Sequence, residues 1–482
     1  MSKRGKKTII TKILEDAPQR YLNIDPLNCS IKQFEQLIPD TVPQVVKEDI
    51  AHYFNYLRNN RSRESLNLWE KVSGCTDSPN SWKVEGYRPI FSFLYYDRIT
   101  DGLFLALLLN RIEPISDEKI QTMTIEEFNR QCRLTIISFK PEIDEIDLKI
   151  LKTLSNEPSL VIQELTEKIG HSYAAVYRHL QKLKAKMGLR ILTRINWTKL
   201  GIQPLFLITK DKTNFDYFTD FRRYLDGQAT FLWGKAYHLR YYFVTETART
   251  ELLKKYQEVS KKKKTFLELL KLTSAPMIGW TFDFFNQSEQ RWEIDFIQTY
   301  RYLSSSKKQK VSVKELFHED YPPKEAYSLT PLETKIIDDL VGKYNLTQKE
   351  LAEHLGMHAQ NLSTIKLKLL DDNIIYPRFE MRNFLPIGCV LWCSSSNQKI
   401  FETFIPLLQK LPFSNISPVR NYREPKKLQL LSFLFLDDIL YRNLVVFLMK
   451  LLREKQIEDF QLGVNVESYF GMAKVANILP KS

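Results

Sequence analysis

The feature that most restricts the fold of this chain is a repeat. Ile146–Leu183, IDLKILKTLSNEPSLVIQELTEKIGHSYAAVYRHLQKL, and Leu332–Leu369, LETKIIDDLVGKYNLTQKELAEHLGMHAQNLSTIKLKL, align without a gap at a constant offset of 186. The offset places Ile150 on Ile336, Leu160 on Leu346, Glu164 and Leu165 on Glu350 and Leu351, Gly170 on Gly356, Val176 on Leu362 and Leu183 on Leu369. A gap-free match of apolar periodicity and of one glycine is what duplication of a structural unit produces. At 482 residues the chain is too long for one ordinary core, so the copies are expected in separate modules.

The segments C-terminal to each copy also correspond. After the first come the strand-like PLFLITK (Pro204–Lys210), the helix-like FDYFTDFRRYL (Phe215–Leu225) and two strands in ATFLWGKAYHLRYYFVT. A helix in ETARTELLKKYQEV and a final strand near MIGWTFDFF complete the set. The second copy continues with GCVLWC, KIFETFIPLLQKL, ISPVRNYREPKKLQLLSFLFL, LYRNLVVFLMKLLREK and FQLGVNVESYF. Both read β-α-β-β-α-β, the ferredoxin-like order. The N-terminal region echoes it, with FSFLYYD near residue 94 resembling LSFLFLD (Leu431–Asp437). The expected fold is therefore α+β: tandem winged helix-turn-helix domains, each followed by a ferredoxin-like domain, after a divergent ferredoxin-like N-terminal domain. The boundaries expected are 1–140 for the N-terminal domain, 141–200 for the first winged helix and 201–303 for its ferredoxin-like partner. A linker at 304–328, rich in serine, charge and proline, precedes the second winged helix at 329–383 and the second ferredoxin-like domain at 384–482.

Within the first copy, Ser159 can cap a helix that carries Leu165 and Ile169, and Gly170 ends it as the glycine of a helix-turn-helix does. Ser172 is placed to cap a second helix, with Val176, Leu180 and Leu183 on one face. Ser172, Tyr173, Ala174, Tyr177, Arg178 and Gln181 then form the opposite, base-reading face. Small Ala174 permits close approach, Arg178 matches guanine O6 and N7, and Gln181 matches adenine. After Glu167 the segment has no acid up to Arg194, while Lys182, Lys184, Lys186, Arg190 and Arg194 suit phosphates, the last two on a strand-like wing. The alternative is a solvated basic helix face. In the second copy His358, Gln360, Asn361 and Thr364 hold the corresponding face, and Thr347 with Glu350 forms a capping box. There Asp371, Asp372 and Glu380 offset Lys366, Lys368, Arg378 and Arg382, so both DNA contact and protein contact stay open for it.

These residues, DEIDLKILKTLSNEPSLVIQELTEKIGHSYAAVYRHLQKLKAKMG with PLFLITK and LWGKAYHLRYYFVT, resemble the leucine-responsive regulatory protein/AsnC (feast/famine) family of prokaryotic transcription regulators. The resemblance covers residues 144–285, and more faintly 329–470. It implies a DNA-binding winged helix joined to a ferredoxin-like domain that dimerises and binds amino acids. This chain departs from the family in carrying two modules, in His238 where an acid is usual, and in lacking the family glycine in VRNYREPKKLQL. No effector residue is therefore assigned, and a small-molecule effector is left open without support. Two linked modules can form an internal pseudo-dimer, and a homo-oligomer is the other arrangement.

The net charge of +13 fits a polyanion partner, here double-stranded DNA. No secretory signal is legible after the basic N-terminus, and the apolar runs are too short to span a bilayer, so no membrane partner and a cytoplasmic location are expected. Cys29, Cys75, Cys132, Cys389 and Cys393 are scattered and odd in number, against a disulfide framework. No catalytic, cofactor or metal set emerges: Gly342-Lys343 lacks the upstream glycine of a phosphate loop, and Gly356 breaks any helix joining His354 and His358. Lys261–Lys264 reads as a solvated loop. The function read is a sequence-specific transcription regulator and not an enzyme. An architectural or replication-initiation protein of low specificity and a protein-interaction scaffold are the alternatives.

Overall fold

The computed structural model describes Thr135 and residues 142–479, except 263–265, 307–310, 319–320, 322–325, 343–346, 382–386, 398 and 470–472. The expected N-terminal ferredoxin-like domain lies outside these residues. The chain divides into two compact units. One holds Met1–Pro141, Gln181–Leu189 and Met381–Phe384; the other holds Glu142–Leu180, Arg190–Glu380 and Leu385–Ser482.

Three helices open the described chain: α1 (Glu145–Asn156), α2 (Ile162–Ile169) and α3 (Tyr173–Met187). Asp144 and Asp147 cap α1 reciprocally, Asp144 accepting from Asp147 N–H at 2.9 Å and Asp147 from Asp144 N–H at 3.1 Å. Helix α2 begins after Val161, not at Ser159, because Glu164 takes the Val161 N–H at 3.1 Å. Gly170 closes α2 at φ +71°, a conformation that a Cβ would strain. Strand β1 (Arg190–Ile195) then leads to β2 (Gln203–Thr209), a 3₁₀ segment (Lys212–Tyr224), β3 (Leu225–Trp233), β4 (Lys235–Val244), α4 (Glu246–Lys262) and β5 (Leu267–Leu272). A short β6 (Met277–Trp280) and α5 (Phe296–Ser305) come next.

The second half repeats this order. Helices α6 (Pro331–Gly342), α7 (Gln348–Leu355) and α8 (Ala359–Asp371) have bounds that are each 186 above those of α1, α2 and the start of α3. Gly356 sits at φ +67°, as Gly170 does at +71°. Then come β7 (Ile375–Glu380), β8 (Ile387–Ser395), α9 (Lys399–Leu408), β9 (Phe413–Asn421), β10 (Leu428–Leu436), α10 (Asp438–Arg453) and β11 (Asp459–Tyr469).

Strands β2 to β5 lie in the order β3-β4-β2-β5, and β8 to β11 in the order β9-β10-β8-β11, both antiparallel. The two sheets join at both edges. Val419–Asn421 of β9 pair with Leu270–Leu272 of β5, and β11 pairs with β3 from Val464↔Leu232 onward. Eight strands thus close into a β-barrel-like sheet and leave no edge between the halves. Phe206, Ile208, Phe231, Leu239, Leu270, Val390, Val419 and Leu431 form one buried cluster that draws on strands of both halves. Burial of each such side chain contributes about 1.5–3 kcal/mol.

Two expectations change. The fourth strand of the first sheet is Leu267–Leu272, not the segment near Met277; Met277–Trp280 pairs instead with Phe413–Ile416 of β9. LELLKL places one charge on each face, Lys271 on one and Glu268 on the other, so it lacks the alternation that marks a half-exposed strand. The run expected as a linker is docked where described: Leu316 and Phe317 are buried, and Thr273 Oγ1 donates to Leu316 O at 2.9 Å.

Candidate nucleic-acid interface

Helix α3 presents one exposed face. Ser172 Oγ accepts from the Ala175 N–H at 3.4 Å, which starts the helix where the sequence places its cap. Val176 and Leu183 are buried, and Tyr173, Ala174, Tyr177, Arg178, Gln181 and Lys184 are exposed along the other side. Tyr173 and Tyr177 are 54% and 47% exposed and stack in parallel, with centroids 6.2 Å apart and planes 11° apart. One turn of helix separates them, so the pair forms a rigid aromatic ledge beside Arg178.

The cations divide into classes. Arg178 and Lys184 are exposed and make no ion pair with the described residues. Lys182 and Arg190 are half-buried and already engaged with other groups. The Lys186 side chain lies outside the described residues. Arg194 is committed within the fold: its guanidinium meets the Glu380 carboxylate, which Arg378 also grips. Burial alone would raise the Glu380 carboxyl, but Arg378 and Arg194 hold it below the ordinary range.

Behind the Arg194–Glu380 contact is a correction to the wing. Arg190–Ile195 does not fold back as a hairpin beside α3; it pairs antiparallel with Ile375–Glu380, from Arg190↔Glu380 to Ile195↔Ile375. Leu192 faces Arg378, the residue 186 positions on, so the ladder is centred on positions related by the 186-residue offset. Leu192 and Ile195 are buried, while Ile191 is 38% exposed. A wing satisfied by its counterpart contributes through Arg190 at most, and Arg194 faces an acid instead of a phosphate.

Beneath the helix lies a contact that the local sequence does not reveal. Asp147 is fully buried, and its Oδ1 lies 2.9 Å from His179 Nδ1 on α3, with Asp144 Oδ1 at 3.4 Å. The hydrogen bonds account for the buried carboxylate and tie α3 to the capped start of α1. The Asp144-x-x-Asp147 spacing is the readable signal, since it marks a helix cap, but nothing local shows that His179 meets it from 32 residues away. The three side chains bring donor atoms within 4.8 Å of one another, an arrangement the hydrogen bonds explain without an ion.

On α8, His358, Gln360, Asn361 and Thr364 are exposed. Thr364 Oγ1 donates to the Gln360 carbonyl at 3.1 Å, and Gln348 Nε2 donates to the Ala359 carbonyl at 3.2 Å. Lys368 is bound by Glu333 at 2.9 Å and lies over the Tyr327 ring. Tyr327 and Glu333 both favour the charged ammonium. Burial raises the Glu333 carboxyl, but the Thr330 backbone N–H, Lys368 and the Thr330 hydroxyl outweigh it and lower it overall. Leu367, where α3 has Gln181, is 56% exposed.

Elsewhere, a cavity of about 260 Å³ is lined by Phe266, Trp392, Arg423, Lys427, Glu268 and Asp459 among others. Its two cations have acid neighbours: Arg423 near Glu268 at 3.7 Å, and Lys427 with Glu458 at 3.1 Å. Cys389 and Cys393 are buried on β8. Among the described residues no helix is long and apolar enough to cross a membrane.

Residues 143–186, the segment that holds α1, α2 and most of α3, match a family model described as winged helix-turn-helix DNA-binding. This part of the chain is a winged helix-turn-helix of the DNA-binding kind. No curated protein matches the chain. Among solved structures, the crystal structure of the siroheme decarboxylase NirDL matches at 12% identity with a TM-score of 0.41, over 69% of this chain and 94% of that one. A likeness at that level carries no inference about chemistry.

Proposed function

We propose that the protein is a sequence-specific, double-stranded DNA-binding transcription regulator with α3 as its main reader. The observation that carries this reading is the exposed face of α3: no carboxylate, two cations without an acid partner among the described residues, and a capped N-terminal turn free to enter the major groove. The match of 143–186 to a DNA-binding winged helix-turn-helix supports it. We take the two halves as a tandem duplication, each a winged helix-turn-helix followed by a ferredoxin-like unit. The shared 186-residue offset, the 2-3-1-4 strand order of each sheet and the β1–β7 ladder support that reading. On it, the halves make an internal pseudo-dimer of the kind the leucine-responsive/AsnC relatives build from two chains. The ferredoxin-like units then serve assembly or sensing. We assign no catalytic role and a cytoplasmic site of action.

The test is capture of fragmented genomic DNA from the source organism by the full-length protein, followed by sequencing. Enrichment of a limited set of fragments near transcription starts is expected. Even coverage would favour the architectural reading, and no DNA retained at low salt would end the DNA-binding reading altogether.

A further inference from the structure

We propose that the chain reads one asymmetric DNA site through α3 alone, with α8 making no base or phosphate contact. The inference rests on the proposed DNA-binding function and specifies its target: a motif without the inverted repeat that two equal reading helices would require.

The two copies differ position by position at the 186-residue offset. Arg178 becomes Thr364, Lys184 becomes Leu370, Lys186 becomes Asp372, Arg190 becomes Tyr376 and Arg194 becomes Glu380. Lys182 alone keeps its charge, as Lys368, and that ammonium is held by Glu333 and Tyr327. The reading face loses its character as well: the Tyr173 and Tyr177 ledge is replaced by Ala359 and Ser363, and Gln181 by exposed Leu367. Lys366 occupies the half-buried position of Leu180, off that face. Over α3 the side chains carry Arg178, Lys182, Lys184 and Lys186 with no acid, whereas α8 carries Lys366 and Lys368 with Asp371.

Phosphate contact supplies most non-specific affinity, so a helix without a free cation on its face gains little from approaching the duplex. The remaining polar groups of α8 are partly used: Thr364 Oγ1 donates to Gln360 O, and the Ala359 carbonyl receives Gln348. An exposed leucine in place of a base-reading amide desolvates the groove without returning a hydrogen bond.

The experiment is selection by the full-length chain from a randomised duplex pool, then measurement of Kd against salt for the selected site. Three proteins are compared: the wild type, Arg178→Ala with Lys184→Ala, and the surface triple His358→Ala, Gln360→Ala, Asn361→Ala. Expected are one motif with no internal inverted repeat, a loss of tenfold or more for the α3 pair, and a change within about twofold for the α8 triple with an unaltered salt slope. An inverted-repeat motif, or a tenfold loss from the α8 triple, overturns this inference while DNA reading stands. Absence of binding by the wild type overturns both.

Discussion

Arg178 and Lys184 are exposed with no acid partner among the described residues, unlike Arg194, and the two should act differently. Arg178 lies in the early helix beside the tyrosine ledge, where a guanidinium can read guanine. Arg178→Ala should cut discrimination among sequences by about 1–3 kcal/mol. Lys184 is six residues further along the helix, suited to the backbone. Lys184→Ala should weaken all duplexes alike and reduce the slope of log K against log salt by about 0.9. Equal loss on every sequence from Arg178→Ala would refute its base-reading role. The same scale covers the thiols of β8. Burial pushes Cys393 up to about 12 and Cys389 further. At pH 8 both should resist alkylation in the folded protein and react once it is unfolded, which peptide mapping by mass spectrometry will read.

At the scale of elements, the end of α2 at Gly170 and both ends of α7, at the Thr347–Glu350 capping box and Gly356, are legible in the sequence because caps and glycines are local signals, whereas the start of α2 is not at Ser159 but after Val161. The strands are harder to read. The partner of the first copy's wing is hidden because Arg190–Ile195 alternates as any strand does, and that partner is about 185 residues away. Met277–Trp280 passes for the fourth strand because the actual one, LELLKL, has no polar face. The β1–β7 ladder carries a pH prediction through Glu380. Its carboxyl is held below its ordinary value of 4.5, so the folded state favours the charged form more than the unfolded state does. The contribution is full above that value and is lost as pH falls through the depressed folded value. Glu380→Gln should cost on the order of 1–3 kcal/mol at pH 7, and the gap to wild type should narrow below about pH 4.5. Urea midpoints of both proteins across that range will test it, and a constant gap would remove Glu380 from the explanation.

Across the whole molecule, the two halves hold each other through the strand pairs at the barrel seams. Gly463 on β11 marks one of them: a Cβ there would stand 2.5 Å from Phe231 Cδ2 and 3.0 Å from the Leu232 carbonyl. Gly463→Ala should therefore force the β11–β3 seam apart and cost about 1–3 kcal/mol, measurable as a lowered Tm. An unchanged Tm would mean the seam yields without cost. The helix-turn-helix with its cap at Ser172 and its glycine at Gly170 was determined by the sequence alone, because periodicity, capping and turn chemistry act over a few residues. Which cations stay available was decided only in three dimensions. Arg194 and Lys368 are ordinary basic residues along the chain, and only the pairing of β1 with β7 and of α6 with α8 brings Glu380 and Glu333 to them. Charge in the sequence sets what a surface can attract, but neutralisation by a distant carboxylate depends on contacts that local pattern does not encode.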